Sequence, residues 1–283
     1  MNTAEIKRRA AQWLAQGRTA VLVKVQEVKG SAPRGAGTRM VVAEDEVLGT
    51  IGGGHLEWMA LATAKGLLQG RQDWPAPQRV ALGPTLGQCC GGSVELAYEP
   101  LAEASLRAWA LPAPRFHLCL YGAGHVGQAL VRVLRDIDVS IDWIDSREEA
   151  FGTEYAPYLQ NAVVMPNTES SLRCWVSEDP THEAAGAPAG AHHLVMTHHH
   201  GLDFDIVARL LQRTDTGWVG LIGSKTKRRQ FEHRLRARGV AAERMASLAC
   251  PVGLDSIAGK EPAVVAVAVA AQLLGLPAGG HQP

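Results

Sequence analysis

The chain has 283 residues, of which 46% are hydrophobic, and its 28 acidic and 28 basic side chains give a formal net charge of zero. That length accommodates two modest domains, and the apolar fraction is that of an ordinary globular protein. The balanced charge argues against nucleic acid as the main partner, because nucleic-acid-binding domains normally carry a basic excess. The longest apolar run, residues 263–275, is too short for a transmembrane helix, which needs about 20 residues.

The first hundred residues are predicted to form a small α/β domain. Helical spacing over residues 4–16 ends at Gly17, a residue typical of helix C-termini. The other predicted elements of this half are strands at 19–28, 39–43 and 47–51, a helix at 55–69, and strands at 79–82 and 93–98. Residues 99–115 contain three prolines and are predicted to be a helical connector. We therefore place domains at 1–100 and 116–283, with a linker at 101–115.

The second half alternates strand and helix patterns. Strands are predicted at 116–121, 139–144, 162–165, 193–197, 218–222 and 246–249, and helices at 126–137, 203–212, 226–238 and 263–275. Residues 166–191, rich in Ala, Gly and Pro, are ambiguous. The alternation predicts an α/β fold with a C-terminal, Rossmann-like, doubly wound parallel sheet and a smaller N-terminal α/β domain.

Two adjacent cysteines, Cys89 and Cys90, lie in the glycine-rich segment 86–92. Neighbouring cysteines rarely bridge each other, because a disulfide needs Cα atoms about 4.4–6.8 Å apart and consecutive Cα atoms lie about 3.8 Å apart. Flanking glycines let a ligand approach the backbone closely. Since thiolates are soft metal ligands and nucleophiles, the segment predicts a thiol-bearing ligand loop. The alternative is a turn in which the thiols are incidental.

The cysteine content and the N-terminal sequence indicate the cellular compartment. The chain has five cysteines, an odd number without a regular spacing, and its N-terminus has no apolar signal core. Both features favour a reducing, cytoplasmic location.

A G-x-G-x-x-G pattern at Gly122, Gly124 and Gly127 follows a predicted strand and opens a predicted helix. Asp145 ends the next strand, about 20 residues on, as in the dinucleotide-binding fingerprint. The helix N-terminus would bind a phosphate through its amides, and Asp145 would accept hydrogen bonds from a ribose-like diol. The alternative is that these glycines only pack the helix against the sheet.

A second helix start carries positive charge. Ser224 is a good N-cap, and Lys225 and Lys227 lie in the first turn of the predicted helix. Basic residues there oppose the helix dipole, so an anionic ligand near Ser224 and Lys225 would relieve the repulsion. The alternative is a solvated basic face.

Three consecutive histidines, at 198–200, follow a strand at the sheet edge where open α/β sheets bind ligands. They raise the prospect of a metal site, but adjacent ligands on one loop rarely all face one ion, and the sequence has no H-E-x-x-H pattern. Hydrogen bonding to a polar ligand, or capping of the next helix by Asp203, is favoured instead.

Two more glycine-rich loops, 30–37 and 49–54, belong to the first half. The second leads into a helix and is a candidate anion cradle, although it lacks the Gly-Lys-Ser/Thr ending of a Walker P-loop. The alternative is that both loops are tight turns between short strands.

Eight ordered blocks of the chain resemble the xanthine dehydrogenase accessory protein family (XdhC/CoxI). The blocks are GSAPRGAGTRMVV (30–42), GTIGGGHLEW (49–58), LGQCCGG (86–92), YGAGHVGQAL (121–130), DSRE (145–148), THHHGLD (197–203), GLIGSKTKRRQF (220–231) and CPVGLDSIAGKEP (250–262). Two positions depart from the family pattern, which often has Asp or Asn in place of His199 and Ala in place of Gly201. The departure at His199 weakens a metal role for that residue.

The resemblance implies a molybdenum-cofactor chaperone, usually dimeric, with a cysteine-bearing N-terminal domain and a Rossmann-like C-terminal domain. Such proteins bind the cofactor, molybdopterin with its metal, while a cysteine desulfurase supplies its terminal sulfur. They then pass it to xanthine dehydrogenase or a related molybdenum hydroxylase. With the residue-level reading, the candidate ligand residues are Cys89, Cys90, Gly122, Gly124, His125, Gly127, Asp145, Ser224 and Lys225. The two cysteines are also candidates for a thiolate contact with molybdenum.

No arrangement of nucleophile, base and orienting acid is recognisable in the sequence, so we expect a carrier rather than an enzyme. The first alternative is an NAD(P)-dependent oxidoreductase built on the Rossmann half, with His125 or His198 as acid/base group. The second is a hydrolase or other metalloenzyme that uses the histidine loop.

Overall fold

The computed structural model describes residues 1, 3–83, 91–111, 113–159 and 172–277. The chain separates into two compact units, Met1–Leu111 (unit 1) and Pro112–Pro283 (unit 2), and the division falls within the linker expected at 101–115. Among the described residues, no helix has both the length and the apolar character needed to cross a membrane.

Unit 1 is built on an antiparallel sheet of five strands in the order β3-β2-β1-β5-β4. The strands are β1 (Val21–Lys29), β2 (Arg39–Val42), β3 (Val47–Gly49), β4 (Gln78–Ala81) and β5 (Ser93–Pro100). The helices are α1 (Thr3–Ala15), α2 (Gly54–Leu68) and α3 (Glu103–Ala108). The order of elements agrees with the pattern read from the sequence.

Helices cover both faces of the unit 1 sheet. The apolar stripe of α2, which includes Leu56 and Ala60, packs on the face that carries Val23 of β1. The preceding residue of β1, Leu22, points to the opposite face and packs with Trp13 of α1. The period of about 3.6 residues in the helices and of 2 in the strands places these residues in two separate cores.

The segment after β5 differs from the expected linker. Trp109 is buried against α1, and Lys7 Nζ donates a hydrogen bond of 2.6 Å to the Trp109 carbonyl oxygen. Residues 101–111 therefore pack as part of unit 1. The prolines of the segment indicated a break in regular structure but carried no information on this packing.

Unit 2 is built on a parallel sheet of six strands in the order β11-β10-β9-β6-β7-β8. The strands are β6 (His117–Tyr121), β7 (Ser140–Asp145), β8 (Leu172–Val176), β9 (His192–Val195), β10 (Val219–Leu221) and β11 (Leu248–Ala249). Numbered within the unit, this is the 3-2-1-4-5-6 order of the Rossmann fold, with the direction of winding reversing between β6 and β9. The predicted fold class is confirmed.

Helices flank the sheet on both sides. They are α4 (His125–Leu134), α5 (Pro180–Gly186), α6 (His200–Gln212), α7 (Lys225–Ala237), α8 (Ala242–Ala246) and α9 (Pro262–Leu274). Helices α4 and α9 pack on one face, whereas α5, α6, α7 and α8 contribute to the core on the other.

The region 166–191, ambiguous in sequence, contains β8 and α5 in its described part. Asp179 caps α5 by accepting hydrogen bonds from the amides of Thr181 and His182, and Pro180 occupies the first turn. This cap-and-proline signal was present in the sequence. The strand predicted at 162–165 lies outside the described residues.

His193 is fully buried in β9, in the middle of the unit 2 sheet. Its Nδ1 lies 3.3 Å from the hydroxyl oxygen of Tyr121, and its Nε2 has no hydrogen-bond partner within the described residues. Burial lowers the pKa of His193 to about 3, from an ordinary value of 6.5. The folded unit therefore excludes a proton that the unfolded chain binds below pH 6.5.

Because the pKa is depressed in the folded state, the stabilisation from His193 is complete above pH 6.5 and is lost as the pH falls below it. We predict that the free energy of unfolding decreases between pH 6.5 and 4.5, with His193 contributing about 1.4 kcal/mol per pH unit. Chemical denaturation of the parent and of His193→Gln across this range measures the effect. The variant should show a shallower slope, whatever its stability at pH 7. Equal slopes would contradict the assignment.

Candidate functional site

Three glycine-rich loops leave the same edge of the unit 1 sheet. They are 30–38 between β1 and β2, 50–53 after β3, and the connection between β4 and β5, of which residues 82–83 and 91–92 are described. The antiparallel register places Lys29 opposite Ser93, Ser93 opposite Ala81, and Met40 opposite Gly49, so all these strand ends share one edge. The sequence identified the three loops separately, and the register of the sheet brings their bases together.

Glycines let these loops touch through their backbones. A Cβ atom on Gly92 would overlap the carbonyl oxygen of Ser31 and lie 2.6 Å from that of Lys29. A Cβ atom on Gly52 would lie 2.5 Å from Cβ of Pro33, and Gly52 has a φ of +124°. The base of the cysteine loop thus packs on loop 30–38, which in turn packs on loop 50–53.

Glu57 holds the third loop in place. Its carboxylate accepts hydrogen bonds from the Thr50 hydroxyl, from the Ile51 amide at 3.1 Å and from the Gly53 amide at 3.2 Å. The sequence analysis did not single out Glu57. The sequence signal for Glu57 was a carboxylate in the first turn of a helix that begins at the last of three consecutive glycines. Acidic groups at this position accept hydrogen bonds from the free amides of the helix start.

Cys89 and Cys90 lie outside the described residues. The described ends of their loop are joined by a hydrogen bond of 2.7 Å from the Leu82 amide to the Gly92 carbonyl oxygen. The flanking strands β4 and β5 were both predicted correctly. The role of the two thiols stays a prediction.

In unit 2, the G-x-G-x-x-G loop lies at the carboxyl end of β6, beside the carboxyl end of β9. A Cβ atom on Gly122 would overlap the Met196 carbonyl oxygen and lie 3.1 Å from the Thr197 amide nitrogen. This is the point where the direction of winding reverses, and ligands of open α/β sheets bind in the crevice at such points. Gly122 therefore brings the glycine loop against the loop that carries the histidines.

The three glycines of the pattern have different surroundings. Gly127 packs on the Gly122 carbonyl oxygen, to which Trp143 Nε1 donates at 3.0 Å. A Cβ atom on Gly124 would meet open space. Gly124 is the N-cap of α4 without a side-chain cap, and His125, the first helical residue, is exposed. This open helix start is able to receive an anionic group through its amides.

Asp145, at the end of β7, is buried against this loop. Its carboxylate accepts hydrogen bonds from the Ala123 amide at 2.8 Å and from the amide and guanidinium of Arg147 at 3.0–3.1 Å. Burial alone would raise the pKa of Asp145, but these hydrogen bonds outweigh burial and hold the pKa below its ordinary value. A ligand diol would have to compete with Arg147, a neighbour that the sequence analysis did not weigh.

The histidine loop and the basic helix start are joined by a buried ion pair. Lys227 Nζ lies 2.6 Å from Asp203 Oδ2 and also donates to the Ile222 carbonyl oxygen at 2.9 Å. Asp203 Oδ1 accepts hydrogen bonds from the amide and hydroxyl of Thr197. Lys227 is thus a structural cation, whereas Lys225 is exposed. The ion pair links two motifs that the sequence presented as independent.

The capping expectations had different outcomes. Ser224 caps α7 as predicted, because its hydroxyl accepts a hydrogen bond from the Lys227 amide at 3.2 Å. The prediction that Asp203 caps α6 is wrong. His199 occupies the N-cap position, where its Nδ1 accepts a hydrogen bond from the Leu202 amide at 3.2 Å. Asp203 is buried and forms an ion pair with Lys227. This ion pair uses the carboxylate that helix capping would need.

A groove of about 530 Å³ runs along α7 beside the start of α6. Its lining carries several basic or titratable side chains; the lining residues are His200, Arg229, Gln230, Phe231, His233 and Arg234. Arg234 stacks over the Phe204 ring with its guanidinium carbon 3.7 Å from the ring centroid. The groove therefore presents positive charge next to the histidine loop and suits an anionic group.

The fold and these loops define a class of protein: a small α/β unit with converging glycine loops, joined to a Rossmann unit with an open helix start at its switch point. Residues 118–273 match the model of the XdhC Rossmann domain, and residues 13–74 match the XdhC and CoxI family. The chain belongs to the XdhC and CoxI family.

Two known proteins are similar over most of the chain. The uncharacterized protein YqeB of Escherichia coli K12 is 28% identical over 255 residues, which are 89% of this chain and 42% of YqeB. This chain thus spans less than half the length of that relative. A crystal structure described as a xanthine dehydrogenase from Bacillus halodurans has a TM-score of 0.71 and 19% identity, covering 97% of this chain and 95% of that one. At that identity the likeness shows a shared fold.

Gly122 and Gly124 offer a matched pair of substitutions. Gly122→Ala would place a methyl group on the Met196 carbonyl oxygen at a φ of +118°, so we predict a loss of about 2 kcal/mol or more of unfolding free energy. Gly124→Ala, at a φ of −70° and facing open space, should cost less than about 1 kcal/mol. Urea denaturation of both variants measures the difference. Equal costs would contradict the packing assigned to Gly122.

Proposed function

We propose that the protein binds the molybdenum cofactor, holds it while a cysteine desulfurase adds the terminal sulfur, and delivers it to xanthine dehydrogenase or a related molybdenum hydroxylase. Membership of the XdhC and CoxI family supports a role in the maturation of such enzymes. The observation that carries the proposal is the packing of loop 50–53 on loop 30–38, and of loop 30–38 on Gly92, which lies at the base of the segment that contains the cysteine pair in the sequence.

The cargo has chemical features that suit these loops. It combines a metal dithiolene, a polar pterin ring system and a phosphate monoester. A thiolate from Cys89 or Cys90 would serve as a soft ligand to molybdenum. Backbone groups of these loops outside the Glu57 hydrogen bonds would bind the polar ring edges, because glycine lets a ligand approach the backbone closely.

Unit 2 supports binding of a phosphate-bearing ligand. Gly124 faces open space at the start of α4, and α4 has no side-chain cap that would occupy its first amides. We propose that this helix start, with His125 exposed beside it, binds a phosphate-bearing ligand. Ser224 and Lys225, both exposed, stand at the start of α7, after β10 in the same sheet. Lys225 would add positive charge at the carboxyl edge of that sheet, and Ser224 would offer a hydroxyl group.

The proposal includes partners. The client enzyme and the cysteine desulfurase would meet a carrier that works as a homodimer in the cytoplasm. A carrier needs an affinity high enough to protect its cargo; at micromolar protein this means a Kd of about 1 μM or below. Release then requires a lower free energy of the cofactor in the client enzyme.

An NAD(P)-dependent oxidoreductase is the second candidate function. The strand order and the glycine loop at the switch point favour it. The hydrogen bonds that occupy Asp145 disfavour it, because the acidic residue of the fingerprint is expected to bind the ribose hydroxyls.

The two functions differ in turnover. Protein loaded with cofactor and mixed with cofactor-free xanthine dehydrogenase should activate the enzyme in proportion to the cofactor supplied and then stop. Oxidation of NAD(P)H by the protein alone should stay at background. Sustained turnover of a nicotinamide cofactor with a small carbonyl or alcohol substrate, without a client enzyme, would contradict the carrier function and support the oxidoreductase.

The cysteine pair gives a sharper prediction. Replacing both Cys89 and Cys90 by alanine should weaken cofactor binding about tenfold or more, which corresponds to about 1.4 kcal/mol, because a metal–thiolate contact is lost. The matched control is Cys174→Ala, which removes a thiol buried in the core of unit 2. Equilibrium dialysis with molybdenum as readout measures both. Parental affinity in the double variant would refute the thiol contact.

A further inference from the structure

Trp58 is an aromatic side chain that the core of unit 1 does not use. It is 64% exposed, the largest value among the large hydrophobic side chains of the described residues. The buried stripe of its helix, α2, is formed by Leu56, Ala60, Ala64 and Leu67. The ring of Trp58 is therefore accessible to a ligand or partner.

A neighbouring side chain supports the ring of Trp58 before any ligand binds. His55, one turn earlier in α2 and also exposed, stacks on it with ring centroids 5.3 Å apart and an interplanar angle of 30°. Residues three apart on a helix lie on the same face, so the stack follows from the helix itself. One flat side of Trp58 is supported, and more than half of the side chain stays accessible.

Contacts connect this stack to the converging loops. Glu57, the residue before Trp58, binds the Ile51 and Gly53 amides and so ties the first turn of α2 to loop 50–53. That loop packs on Pro33, and loop 30–38 packs on the base of the cysteine loop through Ser31 and Gly92. Because the links are hydrogen bonds and close packing contacts, the first turn of α2, where the aromatic stack begins, is held in a defined place relative to the loops.

We propose that Trp58, supported by His55, is the platform on which the flat pterin ring of the cargo stacks. This inference rests on the proposed function and adds the residue that would recognise the ring. An indole and a fused heteroaromatic ring attract each other through offset stacking of their faces, and the glycine-rich loops nearby leave the ring edges free to bind backbone groups. Neither His55 nor Trp58 belonged to the ligand residues expected from the sequence.

The test compares Trp58→Ala and Trp58→Phe with Trp74→Ala, a matched control at a second exposed tryptophan, 47% exposed, in the same unit. The probes are the molybdenum cofactor released from xanthine dehydrogenase and the fluorescent compound 6-carboxypterin. We expect Trp58→Ala to weaken binding of both probes at least tenfold, Trp58→Phe to retain most of the affinity, and Trp74→Ala to match the parent. Thermal unfolding should be unchanged in all three, because both side chains are exposed.

Several outcomes would overturn the platform. If the parent binds the cofactor and Trp58→Ala binds it equally well, the platform is wrong while the carrier function stands. If Trp58→Ala binds both probes but no longer activates xanthine dehydrogenase, Trp58 contacts the client enzyme and not the ring. An equal loss in Trp74→Ala would show an unspecific effect of removing surface tryptophans. A parent that binds neither probe would refute the carrier function and the platform together.

Discussion

The close approach of backbone to backbone at two glycines determines how the loops of each unit are arranged. At Gly92 the base of the cysteine loop lies against the carbonyl oxygens of Ser31 and Lys29, and at Gly122 the G-x-G-x-x-G loop lies against Met196. A Cβ atom at either position would separate the two loops that meet there. The rest of each site depends on these contacts, because the neighbouring groups are held by hydrogen bonds that start from the loops.

Charged side chains then fix the loops that the glycines bring together. In unit 1, the Glu57 carboxylate binds loop 50–53; in unit 2, the Asp203–Lys227 pair binds the histidine loop to the start of α7. A buried ion pair of this kind is poor evidence for added stability, since its desolvation opposes its attraction. Its value here is geometric, because it holds two loops at the carboxyl edge of the sheet in one arrangement. Such an arrangement would suit the proposed carrier, which has to hold its cargo without reacting with it.

Much of the fold could be predicted from the sequence, because the strands and helices of both units have clear periodicity and the motifs stand where elements begin and end. The β8–α5 region could have been found from the Asp179–Pro180 cap, but its mixed composition hid the signal. What sequence patterns could not supply were contacts distant along the chain. The packing of Trp109 on α1, the hydrogen bond from the Ala123 amide to Asp145, and the use of Asp203 as partner of Lys227 all depend on which elements become neighbours. Capping preferences are local, so they failed where a buried charge imposed a stronger demand.

Carriage of the molybdenum cofactor is the function proposed here for the chain. The most direct measurement is the molybdenum and pterin content of the protein purified without oxygen from cells that make the cofactor, compared with the same protein from cells that do not. We expect molybdenum and pterin in equal amounts, approaching one of each per chain, in the first preparation and neither in the second. A protein that contains neither in both preparations, and that fails to take up the cofactor when it is supplied, would contradict the claim.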